Sequence, residues 1–160
     1  MNKYILLLIV SILSISCSYS INLSKTYSEV CSTYKFAFPI EKDIESYDID
    51  KFGPIKHPFT GEISFFEGIR IYGKYSQKIF AVIDGDIVKA ENGIVIIKNK
   101  DLIIEYKFIL INKYIKTGDI IKKGQLLGYI KSQSSKGPFF LLFFRYRNIE
   151  IDPFFVLNSS

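Results

Sequence analysis

The chain has 160 residues, 48% hydrophobic and 23% charged, which supports one folded domain with short extensions and excludes a disordered polymer. Its 21 lysines and arginines outnumber its 16 aspartates and glutamates, and the formal charge of +5 favours loose contact with anionic surfaces. The bases are interspersed with acids and no aromatic–basic motif occurs, so nucleic acid is excluded as a partner class.

At the N-terminus, Lys3 precedes an apolar stretch from Tyr4 to Val10 that continues through Ile12, Leu13 and Ile15. Small residues follow at Ser14, Ser16, Cys17, Ser18 and Ser20. This order predicts a secretory signal over residues 1–20. The run is at the short end for a membrane span, which needs about 20 mostly apolar residues. Leu13-Ser14-Ile15-Ser16 before Cys17 resembles a loose lipobox with Ser14 where leucine is usual, which makes Cys17 a lipidation candidate. Cleavage after Ser20 is the competing outcome. The expected location is periplasmic or lipid-anchored to an envelope membrane. Cys31 then has no partner in the mature chain and reads as a packing residue.

Residues 21–50 read as a spacer and leading strand: a weakly periodic Ile21–Thr33 with room for a short helix, then Phe36–Ile40 as the start of the folded part. Glu41–Asp50 reads as an acidic surface loop. From Phe65 onward, short β-rich runs alternate with turn residues and no helical period is convincing. The predicted strands are Phe65–Tyr72, Lys78–Ile83, Asp86–Glu91, Gly93–Lys98, Asp101–Leu110, Gln125–Lys131, Phe139–Arg147 and Ile149–Ile151. Asp84-Gly85, Asn92-Gly93 and Asn99-Lys100-Asp101 read as tight turns between antiparallel neighbours. An all-β domain built from hairpins follows. Six apolar residues in succession, Phe139 to Phe144, predict burial on both faces of their strand.

Five ordered landmarks carry a resemblance. They are Phe52-Gly53 with His57-Pro58-Phe59-Thr60-Gly61; Phe66-Glu67-Gly68-Ile69-Arg70-Ile71; Ala81-Val82-Ile83-Asp84-Gly85-Asp86-Ile87-Val88; Gly118 to Gly128; and Gly137 to Arg145 with Asp152-Pro153. Together they resemble the lysostaphin/LytM-type zinc endopeptidases that cut peptidoglycan cross-bridges, over a domain placed at residues 51–158. The resemblance implies a mainly β fold with an antiparallel core built on a duplicated hybrid motif. It also implies a zinc held by a histidine, an aspartate four residues later, and the second histidine of a His-x-His strand. In this chain those positions fall on Phe66, Arg70 and Leu141. Two further active-site histidines fall on Phe139 and Phe108, while His57, the sole histidine, matches a family residue that shapes a turn.

A catalytic zinc needs three donor side chains and an open water site. The matched positions supply none, and His57 with Asp84, Asp86, Glu67 or Glu105 makes a poor alternative set. The expectation is a catalytically inactive homologue without a cofactor, acting as a binding or regulatory module in peptidoglycan remodelling, for example as an activator of wall hydrolases. Its partner would be an envelope protein such as a wall hydrolase, with peptidoglycan contact and a lipid-anchored membrane as further associations. The alternatives are an active endopeptidase with an unrecognised metal site and a structural envelope lipoprotein.

Phe66, Phe108, Phe139, Leu141 and Phe143 line the former cleft, and two accounts of them stay open. The cleft is filled as core, or it is an apolar groove for a partner. Lys122, Lys123, Lys131 and Lys136 read as a solvated rim, Arg145 as a structural ion pair, and Asp152-Pro153 as a strand-ending turn. Gly118 to Gly128 also resembles half of a biotinyl/lipoyl carrier, but the chain lacks that family's lysine at a hairpin tip.

Overall fold

A computed structural model describes residues 23–41, 49–57 and 59–159. The signal segment, Cys17 and most of the acidic loop lie outside the described residues. Residues 23–33 form helix α1. Then come the strands β1 (Ile49–Asp50), β2 (Gly53–Lys56), β3 (Ile63–Phe66), β4 (Ile69–Tyr72), β5 (Lys78–Phe80), β6 (Gly85–Glu91) and β7 (Ile94–Asn99). The chain continues with β8 (Leu102–Lys107), β9 (Ile109–Ile111), β10 (Ile120–Ile121), β11 (Leu126–Ile130), β12 (Ser132–Ser134), β13 (Gly137–Tyr146) and β14 (Ile149–Ile151), and closes with helix α2 (Pro153–Asn158).

Among the described residues every strand pairing is antiparallel. The largest sheet runs β1-β4-β13-β8-β7-β6-β10, with β12 and β14 also paired to β13. A second sheet has the order β5-β11-β9, and β2 and β3 form a separate hairpin. Thus the mainly β expectation holds.

The core follows from alternation. Val95 and Ile97 on β7, Leu102, Ile104 and Tyr106 on β8, and Phe140, Leu142 and Phe144 on β13 are all completely buried. Period-two patterning sends these side chains to one face of the sheet. The Tyr106 hydroxyl accepts the Val82 N–H at 2.9 Å, so the phenol carries its polar atom into the core with a partner. Asn92-Gly93 is a two-residue hairpin turn as predicted: Glu91 pairs with Ile94, and both turn residues have positive φ (51° and 76°).

Four expectations need correction. Phe65–Tyr72 is not one strand, because Glu67-Gly68 separates β3, in its own hairpin, from β4 in the main sheet. Asp101–Leu110 is likewise divided at Phe108, whose φ of 64° turns the chain out of β8 into β9 of the second sheet. Asp84-Gly85 does not join antiparallel neighbours; it carries the chain from β5 to β6 in different sheets. Asp152-Pro153 ends β14 but also starts α2, with the Asp152 side chain accepting the Phe154 N–H at 2.9 Å and Pro153 in the first turn.

The segment read as a spacer also packs. Val30 of α1 is fully buried and Tyr34 nearly so. Glu29 accepts from the Tyr146 hydroxyl at 2.8 Å and pairs with Arg147 at 2.9 Å, while the Tyr27 hydroxyl accepts the Asp152 N–H at 2.7 Å. These bonds clip α1 to the β13–β14 corner. Among the described residues no helix is long and apolar enough to cross a membrane.

Candidate functional site: an aromatic, cation-capped sheet face

Strand β13 organises the site. Its even-numbered residues enter the core, which leaves Phe139, Leu141 and Phe143 on the other face. Antiparallel register sets Tyr72 opposite Phe139 and Arg70 opposite Leu141 on β4, and Lys107 opposite Leu141 and Glu105 opposite Phe143 on β8. Phe66 of β3 meets Phe143 edge-on at 5.8 Å between ring centroids, and Phe108 meets Phe139 at 5.8 Å. The five residues named for the former cleft therefore stand on one face. Burial on both sides of β13 is only partly realised: Phe140, Leu142 and Phe144 are fully buried, Leu141 is 8% exposed, and Phe139 and Phe143 are half-buried.

Cations cover these rings. The Arg70 guanidinium lies 5.1 Å from the centre of the Phe139 ring, and the Lys107 ammonium 4.5 Å from that of Phe143. A cation over an aromatic face is attracted by the ring quadrupole. Lys107 also pairs with Glu105 at 3.1 Å. Asp50 on the edge strand gathers the rest. Its carboxylate accepts from Arg70 at 3.0 Å, from the Tyr72 hydroxyl at 2.9 Å and from Lys136 at 3.0 Å. Burial pushes the Asp50 carboxyl up, but the Lys136 and Tyr72 hydrogen bonds with the Lys136 and Arg70 charges outweigh it and hold the group below its usual range. Lys136, predicted as solvated rim, is thus tied to Asp50. Lys122, Lys123 and Lys131 are exposed as expected.

Two backbone features hold the face together. Phe108 keeps a left-handed backbone conformation that is rare for an aromatic residue, and its side chain stays 49% exposed beside Phe139. Gly68 lies where the β3–β4 corner crosses β13: a Cβ there would fall 2.6 Å from the Phe143 ring and 2.7 Å from the Leu142 carbonyl oxygen. Only glycine lets the corner close that tightly.

The zinc implied by the resemblance has no fit here. Phe66 and Leu141 present carbon, and Arg70 presents a cation where a cation would have to sit. The Arg70 Nε is buried without a hydrogen-bond partner, while the terminal Nη1 is bound to Asp50 and Tyr72. Among the described residues no three His, Cys, Asp or Glu side chains come together to hold an ion. His57 lies in the β2–β3 loop. Its Nδ1 accepts the Thr60 N–H at 3.2 Å, and its backbone carbonyl accepts the Gly61 N–H at 3.0 Å, which is a turn-shaping role. Asp84 is likewise committed, accepting the Lys123 N–H at 2.7 Å. Arg145 pairs with Glu150, as anticipated.

Asp50 and Tyr72 were missed by sequence reasoning. Asp50 reaches Arg70 across 20 residues and Lys136 across 86, and nothing local marks it. Tyr72 had a visible signal, because it follows Arg70 at the two-residue spacing that keeps side chains on one strand face.

Known proteins place this arrangement. The profile of Peptidase family M23 matches residues 64–153. No curated protein matches the chain. Among solved structures, the fold is similar to the catalytic domain of the antimicrobial peptidase lysostaphin from Staphylococcus simulans, at 20% identity over 71% of this chain and 94% of that one, with a TM-score of 0.59. It is similar to a chain of the SpoIIQ–SpoIIIAH pore-forming complex at 20% identity, over 78% of this chain and 91% of that one, TM-score 0.62. Csd3 from Helicobacter pylori is 22% identical with a TM-score of 0.59; the match covers 76% of this chain but spans about a third, 34%, of Csd3. A profile match over more than half the chain, on a shared fold, decides the relationship: this protein belongs to peptidase family M23.

Proposed function

We propose that the chain is a non-catalytic M23 domain of the bacterial cell envelope that binds another envelope protein and so regulates peptidoglycan remodelling. One observation carries this reading. At the three positions that the resemblance assigns to the metal stand a phenylalanine, a leucine and an arginine, and the arginine is locked to Asp50 and stacked over Phe139. Without a metal, water keeps a pKa near ~15.7 instead of ~7, and a peptide bond meets no competent nucleophile.

The half-buried rings of Phe139 and Phe143, with Phe108 open to solvent, favour a contact surface over a fully closed core. That a chain of similar fold is part of a two-protein complex supports a protein partner. The proposal includes export by residues 1–20, a periplasmic or lipid-anchored location through Cys17, and a peptidase-like domain over residues 51–158 onto which Val30, Tyr34, Phe36 and Ile40 pack. Purified chain should not clear peptidoglycan alone, and should raise the rate at which a wall hydrolase from the same envelope releases soluble fragments. Clearing by the chain alone, abolished by a chelator, would overturn the reading.

A further inference from the structure

A side of the molecule away from the aromatic face has its own chemistry. In the β2–β3 hairpin, Pro54 pairs with Phe65 and Lys56 with Ile63, so these four share one face, opposite the face on which Phe66 reaches Phe143. Ile63 is 74% exposed and Phe65 60%. Ring contacts lead from this face to the two helices. Phe52 stacks edge-on against Phe65 at 5.1 Å, Lys51 lies 4.8 Å from the Phe154 ring on α2, and the exposed Phe155 meets Tyr27 of α1 at 5.0 Å. An apolar cleft lined by Leu23, Tyr27 and Phe155 ends the run at the first turn of α1.

That end is where residues 1–22 join the described fold, and those residues carry the lipidation candidate Cys17. From Cys17 to Leu23 the chain reaches at most about 20 Å, at ~3.5 Å per residue. An anchor at Cys17 would therefore keep Leu23 and the α1–α2 corner within about 20 Å of the membrane. We propose that this side rests on an anionic phospholipid surface, with Ile63, Phe65 and Phe155 at the headgroup–acyl boundary and Lys51 and Lys56 against the phosphates. Single exposed apolar residues need no explanation, but here Ile63 and Phe65 share a hairpin face with Lys56, and Phe155 lines the cleft where the tether joins. The inference uses the export-and-anchor part of the proposed function to say which surface is in reach; it does not use the wall-regulatory part.

The chain contains no tryptophan, so one introduced indole reports its own surroundings. The full chain is reconstituted with phosphatidylglycerol vesicles carrying brominated acyl chains, in Ile63→Trp, Phe155→Trp and Tyr114→Trp variants. Tyr114 is 73% exposed, shortly before β10 at the other end of the main sheet. The expected result is that the first two emit at shorter wavelength and lose at least half their emission to bromine, while Tyr114→Trp does neither. The loss should shrink in neutral phosphatidylcholine and in Lys51→Glu/Lys56→Glu backgrounds. Chain that floats with the vesicles while Ile63→Trp and Phe155→Trp stay unquenched overturns the proposal and leaves the anchor standing. A blue shift without bromine quenching also overturns it, in favour of a protein or a second copy as the occupant. Chain that fails to float overturns the anchor and the membrane face together.

Discussion

Arg70 shows how one side chain redirects a site. Its guanidinium spans the Phe139 ring and the Asp50 carboxylate, so the place expected to attract a cation already contains one. Register puts Leu141 directly across from Arg70, and Phe66 touches Phe143, two residues along the same face. Substituting Phe66→His, Arg70→Asp and Leu141→His together should therefore gather three donors, and the variant should take up roughly one zinc per chain where its parent does not. Zinc uptake measured by calorimetry, with circular dichroism to confirm the fold, checks this. No uptake by a folded variant would mean that the three positions do not converge. Asp50 allows a second check. Its carboxyl is held low, so its contribution is present above the unfolded carboxyl value and is lost as pH falls through the folded one. Asp50→Asn should weaken that acid loss and lower stability at neutral pH by about 1 kcal/mol, a modest figure because the pair is partly solvated. Urea unfolding at pH 7 and pH 3 reads both.

Among the elements, β7, β8 and β13 were legible as short runs rich in Ile, Val, Leu and Phe bounded by turn residues, and strand geometry then sends Val95, Ile97, Leu102, Ile104 and Phe144 inward. The Asn92-Gly93 turn was legible because both positions need positive φ. The breaks at Glu67-Gly68 and Phe108 were not, since β-favouring residues flank each and only the change of sheet reveals them. Helix α2 is too short for a hydrophobic period, though Asp152 before Pro153 was a visible start signal. At the site, alternation along β13 placed Phe139, Leu141 and Phe143 together, whereas the tie to Asp50 depends on pairing between distant strands. The meeting of β9 and β11 depends on Gly128 in the same non-local way. A Cβ there would fall 2.3 Å from the Leu110 carbonyl oxygen, so Gly128→Ala should cost about 2–3 kcal/mol as the strands are forced apart. A urea midpoint within a few tenths molar of the parent would contradict that.

For the molecule as a whole, two phenols tie the core and the α1 clip to alkaline pH. Burial raises the Tyr106 phenol, and burial followed by the Glu29 hydrogen bond pushes Tyr146 up to about 12. Both are raised above the ordinary value of 10.0, so their contribution is intact below that pH and is lost as pH rises from there through the folded values. Stability should hold to mildly alkaline pH and then fall. Tyr106→Phe should flatten part of that fall, while losing about 1–3 kcal/mol at neutral pH from the orphaned Val82 N–H. At the scale of the scaffold, an M23 fold has its expected ion position closed by rings and an ion-paired arginine. Elemental analysis of the purified full chain after equilibration with zinc tests that most directly. The account predicts far less than one zinc per chain, unchanged by His57→Ala; one zinc per chain that disappears in His57→Ala would contradict it.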